Sequence, residues 1–379
     1  MSRPSDSGLR LLFVTQELDR ASTNLAVAHT WAAELARQAD AVHVVAARVG
    51  EFDLPPNVSV YGLGRERGRS RWSAAMAFGA ICARLVLRRH VNAILAHMVP
   101  AYAVALAPLT RMANTPLALW YASHGLTPML RRANRMIDAA LTASLDSYPI
   151  ASERAYVLGH GIDTARFQPP DERTPGKGPV IGMAGRLTPL KGFEPGIRAL
   201  AELRRGCCPE ARLRIAGEPF YPSDRAYADE LKSLADTLDV RNAVEFVGAV
   251  RGDAMAGFYG SLDVFVNWRA QPALDKTGLE ALACATPMIT NNRAYRGVLG
   301  EHSCDFLVGN SSDELAAGLG RLLRMSVDSR QAVVAELRAS VANEHGAPGL
   351  AIRLAAVCNA LRKGARPEFP SVAEAEASL

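Results

Sequence analysis

At 379 residues the chain is too long for one typical core, so its length favours two domains of about 150 to 200 residues each. A composition of 49% hydrophobic and 21% charged residues excludes global disorder, and six cysteines without CxxC pairing or zinc-finger histidine spacing argue against a disulfide framework or metal site. The net charge of +5 favours anionic partners such as phosphates, nucleotides or an acidic membrane surface, without choosing among them.

The N-terminus, MSRPSDSGLR, lacks the apolar core of a signal peptide, and the longest apolar run, Ala93 to Leu109, is interrupted by His97, Pro100 and Pro108. A cytoplasmic protein with reduced thiols is the expectation. From Leu9 onward, strand-length apolar runs alternate with helical patterns: LRLLFVT, a helix near Asn24 to Gln38, AVHVVAA, NVSVYGL, a helix near Trp72 to Arg89, and NAILAH. A helix near Ala101 to Met112, the strand PLALWYA and the strand-like AALTASL complete the first series. After a polar, Pro/Gly-rich stretch the rhythm restarts with VIGMAG, a helix to about Arg205, RLRIAG, a helix near Ser223 to Leu238, VEFVG, LDVFVN, a helix from about Thr277, and PMITN.

Continuous apolar strands alternating with helices predict an α/β fold, two doubly wound Rossmann-like halves facing across a cleft. The boundaries read as residues 1–160 for a first domain, 161–345 for a second, and 346–365 for a C-terminal helix packing back on the first domain. Residues 366–379 read as a tail.

Within the second series, VIGMAGRLTPLKGFE runs an apolar strand into a Gly-Arg turn, with a lysine five residues after the arginine. A helix opened by Thr188-Pro189 would aim Arg186, Lys191 and free backbone amides at one point, which suits a pyrophosphate. Read alone, the segment also fits a surface loop with two solvated cations. Further on, TGLEALACATPMIT places Glu280 early in a helix that ends before a Pro-led strand, and VLGHGIDTARFQP joins the two series.

These three motifs, in this order, resemble the retaining glycosyltransferases of family 4, which have the GT-B fold. The resemblance implies a glycosyltransferase that moves a sugar from a nucleoside-diphosphate sugar to a small-molecule, glycan or lipid-linked acceptor, with retention at the anomeric carbon. It implies that Arg186 and Lys191 hold the diphosphate and that Glu280 accepts hydrogen bonds from the ribose hydroxyls. A histidine at the end of the strand LWYASHG would lie beside the donor sugar, so His124 joins Arg186 and Lys191 as a catalytic candidate. Gly185, Arg186, Lys191, Asp275, Lys276, Thr277 and Glu280 form the expected donor-binding set. Base recognition is expected through backbone groups near Phe246 to Arg251.

The chain departs from the family at several positions. Pro272 stands where a second glutamate meets the donor sugar, and Asp275 or Lys276 are the candidates to take over that contact. Ala285 replaces a glycine, read as a small packing adjustment. Ser22, Thr23 and Asn24 replace an N-terminal Gly-Gly loop, where they could contact acceptor or sugar or simply cap a helix. His97 is a weaker sugar or acceptor candidate, and His160 weaker still, because a histidine beside an apolar run is more often structural.

No Asp-x-Asp occurs, so no metal or other cofactor is expected, and cationic side chains with a helix dipole would neutralise the leaving group. Arg65, Arg67, Arg69, Arg71, Arg84, Arg88 and Arg89 flank an apolar helix with Glu66 as the sole acid. This segment reads as a buried amphipathic helix with solvated flanks, or as peripheral contact with the inner face of an anionic membrane. No nucleic-acid partner is expected, and the oligomeric state stays open. Two other functions remain: a sugar-nucleotide epimerase or hydrolase on the same fold, and a non-catalytic nucleotide-sugar-binding protein.

Overall fold

The computed structural model describes residues 8–22, 25–170, 178–219, 221–250, 252–270, 272–369 and 372. The chain divides into two compact units, Met1–Gly161 with Glu344–Leu379, and Ile162–Asn343.

The first unit is built on a seven-stranded parallel sheet, ordered β3-β2-β1-β4-β5-β6-β7. Its strands are β1 (Arg10–Leu18), β2 (Ala41–Val49), β3 (Val58–Gly62), β4 (Ala93–His97), β5 (Leu117–Trp120), β6 (Ala139–Thr142) and β7 (Ala155–Val157). The helices between them are α1 (Ala26–Ala36), α2 (Arg71–Leu87), α3 (Pro100–Ala113) and α4 (Pro128–Met136).

Alternation along β1 explains why both faces are covered. Leu11 and Phe13 enter a core shared with Trp31 and Leu35 of α1, whereas Leu12 and Val14 point into another with Phe78 and Cys82 of α2 and Leu106 of α3. The last long helix, Ala347–Arg362, adds Leu350, Leu354 and Val357 to the α1 side. It is pinned there by Arg353, whose Nε donates to the Leu158 carbonyl at 2.8 Å.

The second unit carries a five-stranded parallel sheet ordered β10-β9-β8-β11-β12. Its strands are β8 (Val180–Ala184), β9 (Arg212–Ala216), β10 (Val244–Gly248), β11 (Val264–Asn267) and β12 (Met288–Thr290). The helices are α5 (Phe193–Arg205), α6 (Pro222–Thr237), α7 (Ala254–Gly260), α8 (Lys276–Ala283), α9 (Arg296–Leu299), α10 (Ser303–Phe306), α11 (Ser312–Arg324) and α12 (Val327–His345); the last helix of the chain is α13.

One expected helix start moves. A 3-10 turn covers Pro189–Lys191, and α5 begins at Phe193 rather than at Thr188-Pro189, because Gly192 takes a left-handed conformation, φ +56°, that interrupts the helical path. A Cβ there would lie 2.1 Å from Trp268 Cδ1, so only glycine fits the break.

Ala285 is more than a packing adjustment. Helix α8 ends in a Schellman-type turn: the Ala285 amide donates to the Leu282 carbonyl at 3.0 Å and the Thr286 amide to Ala281 at 2.9 Å. This places Ala285 at φ +53°, where a Cβ crowds its own backbone. Ala285→Gly should therefore stabilise the protein by about 1 kcal/mol. Denaturant melts of the two proteins measure it, and an unchanged or lower midpoint would refute the strain.

Candidate functional site

In the second unit the chain leaves β8 towards β9 and β10 on one side and reaches β11 and β12 on the other. The carboxyl ends of β8 and β11 therefore flank a topological switch, where open α/β sheets hold ligands. Two loops meet there, residues 185–192 after β8 and, after β11, residues 268–270 with 272–275.

Gly185 opens the first loop at φ +142°, and the Lys191 stem lies over it, so closely that a Cβ would stand 3.2 Å from Lys191 Cε. Arg186 is exposed on the same loop. Lys191 Nζ crosses to the second loop and donates to Asp275 Oδ2 at 2.8 Å.

Arg269 donates to that same oxygen, also at 2.8 Å. The other oxygen, Oδ1, accepts from Asn267 Nδ2 at 2.8 Å, Thr277 Oγ1 at 2.9 Å and Tyr295 Oη at 3.0 Å. The side chains of Lys191, Arg269 and Asp275 are only 22%, 23% and 14% exposed, so water screens the cluster weakly. Burial by itself would raise the Asp275 pKa, but the Lys191 and Arg269 charges override it and hold the carboxyl far below its ordinary range.

Asp275 occupies the N-cap position of α8 yet makes no capping bond to it. Its oxygens are committed to the two cations and their neighbours. That commitment bears on the suggestion that Asp275 replaces the glutamate absent at Pro272: its carboxylate is already saturated by side chains of this chain.

On α8, Lys276 and Glu280 stand one turn apart. Burial raises the Glu280 pKa, opposed by Lys276 and by the Tyr259 hydroxyl, which donates to Oε2 at 3.0 Å. Burial lowers the Lys276 pKa, opposed by Glu280. Thr277 Oγ1 also accepts from Asn267 Nδ2 at 3.1 Å. The structure thus brings Gly185, Lys191, Asp275, Thr277 and Glu280 to one sheet edge, with Arg269, Asn267, Tyr259 and Tyr295 added. Polar Asn267, directly after the apolar run VFV, was the signal in the sequence for one of these.

The first-unit candidates have separate settings. His124 is exposed in the loop after β5, with Nδ1 3.4 Å from the Asp146 carbonyl oxygen. His97 ends β4 inside the core: it is buried, 3.1 Å from Thr15 Oγ1, with its ring against Phe13 and Trp31. Ser22 accepts from the Leu25 amide at 3.1 Å, as a local turn would require. Thr23, Asn24 and Arg251 lie outside the described residues.

Residues 178–325 match the family model described as glycosyl transferases group 1. A GDP-mannose-dependent alpha-(1-6)-phosphatidylinositol monomannoside mannosyltransferase of Mycolicibacterium smegmatis is 32% identical over 183 residues, 44% of this chain and 46% of that protein. An MMP alpha-(1->4)-mannosyltransferase of Mycolicibacterium hassiacum is 28% identical over 214 residues, 54% and 49% of the two chains. The chain spans about half the length of the curated relatives it matches. Among solved structures, Anabaena HepE in complex with UDP superposes with TM-score 0.71 at 20% identity, covering 93% of this chain and 100% of that one. Sucrose-phosphate synthase of Thermosynechococcus elongatus gives TM-score 0.75 at 15% identity, covering 94% and 100%. At these identities the structures speak to the fold, which is the α/β class expected from the sequence.

The charge cluster sets a pH-dependent stability. Asp275→Asn leaves Lys191 and Arg269 facing each other without a counter-charge and should cost about 3 kcal/mol near neutral pH. Because the folded-state pKa is depressed, the stability that Asp275 supplies is present above its ordinary value of 3.8 and is lost as pH falls below it. The gap between urea melts of the two proteins should hold from pH 7 to about 5 and narrow by about 1 kcal/mol by pH 3, and a gap that stays constant down to pH 3 would refute the ion pair.

Proposed function

Because residues 178–325 match the model of the group 1 glycosyl transferases and the chain has the GT-B class of fold, we propose that it transfers a sugar from a nucleoside-diphosphate donor to a hydroxyl or similar nucleophile. The observation that carries this reading is the meeting of Lys191 and Arg269 at the β8–β11 switch, with Arg186 on the same loop as Lys191.

In this reading the diphosphate takes up the cationic side of the cluster. Lys191 and Arg269 together exceed Asp275 by one positive charge, and Arg186 adds another, which suits the two negative charges of an intact donor. As the bond between the anomeric carbon and the diphosphate oxygen breaks, more charge collects on the phosphate, and cations already fixed in place need little reorganisation to meet it. The acceptor oxygen bonds to the anomeric carbon, and its proton passes to the departing phosphate on the same face, an order that gives retention. Glu280, kept close to Tyr259 and Lys276, accepts the ribose hydroxyls. His124 orients the donor sugar. The chain lacks Asp-x-Asp, so cationic side chains take the role a divalent metal would have at the diphosphate.

Support for a nucleotide donor comes from HepE, solved with UDP, and from the named GDP-mannose dependence of the mycobacterial relative. Those two nucleotides differ in base. A thermal-shift series with UDP, GDP, dTDP and ADP sugars identifies the one this chain takes, since a ligand of the folded state raises the melting temperature. Pro272 favours a second reading, donor binding without transfer, because it removes a carboxylate from the sugar side. NMR of donor with and without an acceptor panel separates transfer, hydrolysis and idle binding.

Arg186→Ala and Lys191→Ala should each lower turnover about 100-fold, about 3 kcal/mol of transition-state stabilisation, while EDTA leaves the wild-type rate unchanged. A steady-state assay in which either variant works at close to the wild-type rate would remove the diphosphate assignment.

A further inference from the structure

Helix α2 buries one apolar face and leaves a second uncovered. Ala74, Phe78, Cys82, Leu85 and Val86 pack into the first unit's core. On a helix turning about 100° per residue, Trp72, Met76, Gly79, Ala80 and Leu87 form another stripe, roughly opposite the first. All five are exposed, Trp72 at 84% and Met76 at 74%. On α3, which packs beside α2 through the Phe78–Tyr102 ring pair, Met112 is also exposed.

Charge frames this stripe. Arg65, Arg67, Arg69 and Arg71 lead into the helix and Arg84, Arg88 and Arg89 lie at its end, against Glu66 alone in the same segment. Glu66 is itself paired with Arg67 at 3.5 Å. A 17-residue helix whose outward side offers tryptophan and methionine between two rows of arginine has the chemistry of a surface element lying in a lipid interface. No helix among the described residues is long and apolar enough to cross a membrane.

We propose that α2 and its flanking arginines dock the protein on an anionic lipid surface, with Trp72 and Met76 entering the acyl boundary and the guanidinium groups bound to headgroup phosphates. Charge selects this occupant over two others. A second copy in a two-fold contact would bring the same arginine rows against each other. A nucleic acid would neutralise the arginines but leave Met76 and Leu87 uncovered. The inference stands apart from sugar transfer, so either can fail alone.

The test is flotation of the full chain with phosphatidylcholine vesicles, with and without about 30% phosphatidylglycerol. The protein should float with the anionic vesicles alone, and about 0.5 M salt should release it. The double variant Trp72→Ser/Met76→Ser should lower the bound fraction about tenfold, and Arg88→Glu/Arg89→Glu should do the same. Both pairs lie on the surface, and an unchanged melting temperature confirms that the variants fold. Absence of flotation at low salt overturns the proposal, as does equal binding to the neutral vesicles. Self-association lost in the Trp72→Ser/Met76→Ser variant without vesicle binding also overturns it and assigns the stripe to a second copy. RNA retention that the two serines leave intact, without flotation, overturns it in favour of a polyanion.

Discussion

One largely buried carboxylate organises the ligand edge of the second unit. Asp275 draws Lys191 from the loop after β8 and Arg269 from the loop after β11 onto a single oxygen. Two cations brought this close in a poorly screened environment would repel each other, and apart from the 3-10 turn at Pro189–Lys191 the two loops lack regular structure to hold them in place. The shared counter-charge turns that repulsion into a clamp. Asn267, Thr277 and Tyr295 then fix the second oxygen, so the carboxylate cannot rotate and the lysine and arginine inherit its position. Gly185 and Gly192 make the arrangement sterically feasible: the first lets the lysine stem lie flat on the backbone, and the second turns the chain away before it meets Trp268.

The same clamp changes the chemistry around Pro272. On the proposed reading, a carboxylate on the sugar side gives way to a ring without a backbone N–H, while an aspartate arrives three residues later. That aspartate does not restore the lost acceptor, because two cations and three hydrogen-bond donors already satisfy it. The loop is thus richer in donors than in acceptors. It suits phosphate oxygens better than sugar hydroxyls.

Much of the fold was legible because strands buried on both faces announce themselves as unbroken apolar runs. LRLLFVT, NAILAH, VIGMAG and LDVFVN all became strands of two parallel sheets. Helix α12 was less legible, and the reason is physical: its buried Val334, Leu337 and Val341 share one narrow face, but Ala332, Val333, Ala335 and Ala339 spread apolar residues around the rest of the helix and blur the pattern. In the site, Lys191 and Glu280 stood out because they belong to local motifs. Arg269 did not, since its partners Lys191 and Asp275 are joined to it by tertiary folding, and nothing in the neighbouring sequence marks an arginine as part of a clamp. Ala285 was visible as a substitution, but its strain became apparent only with the left-handed backbone of the α8 terminus.

Helix α2 exposes a limit of periodicity itself. An amphipathic pattern locates one apolar face and assigns the remainder to water, which works when the remainder is polar. Here Arg71, Ser73 and Arg84 are the polar residues in a 17-residue helix, so apolar side chains must also occupy the outward side. The sequence could therefore be read either as a core helix or as a surface helix. The structure resolves the ambiguity by meeting both descriptions: Phe78 and Leu85 complete the core against β1 and α3, and Trp72 and Met76 remain outside it. Stability of the first unit explains the inner stripe alone. The outer one leaves the Trp72 ring and the Met76 thioether in water, apolar area that contact with a further surface would remove.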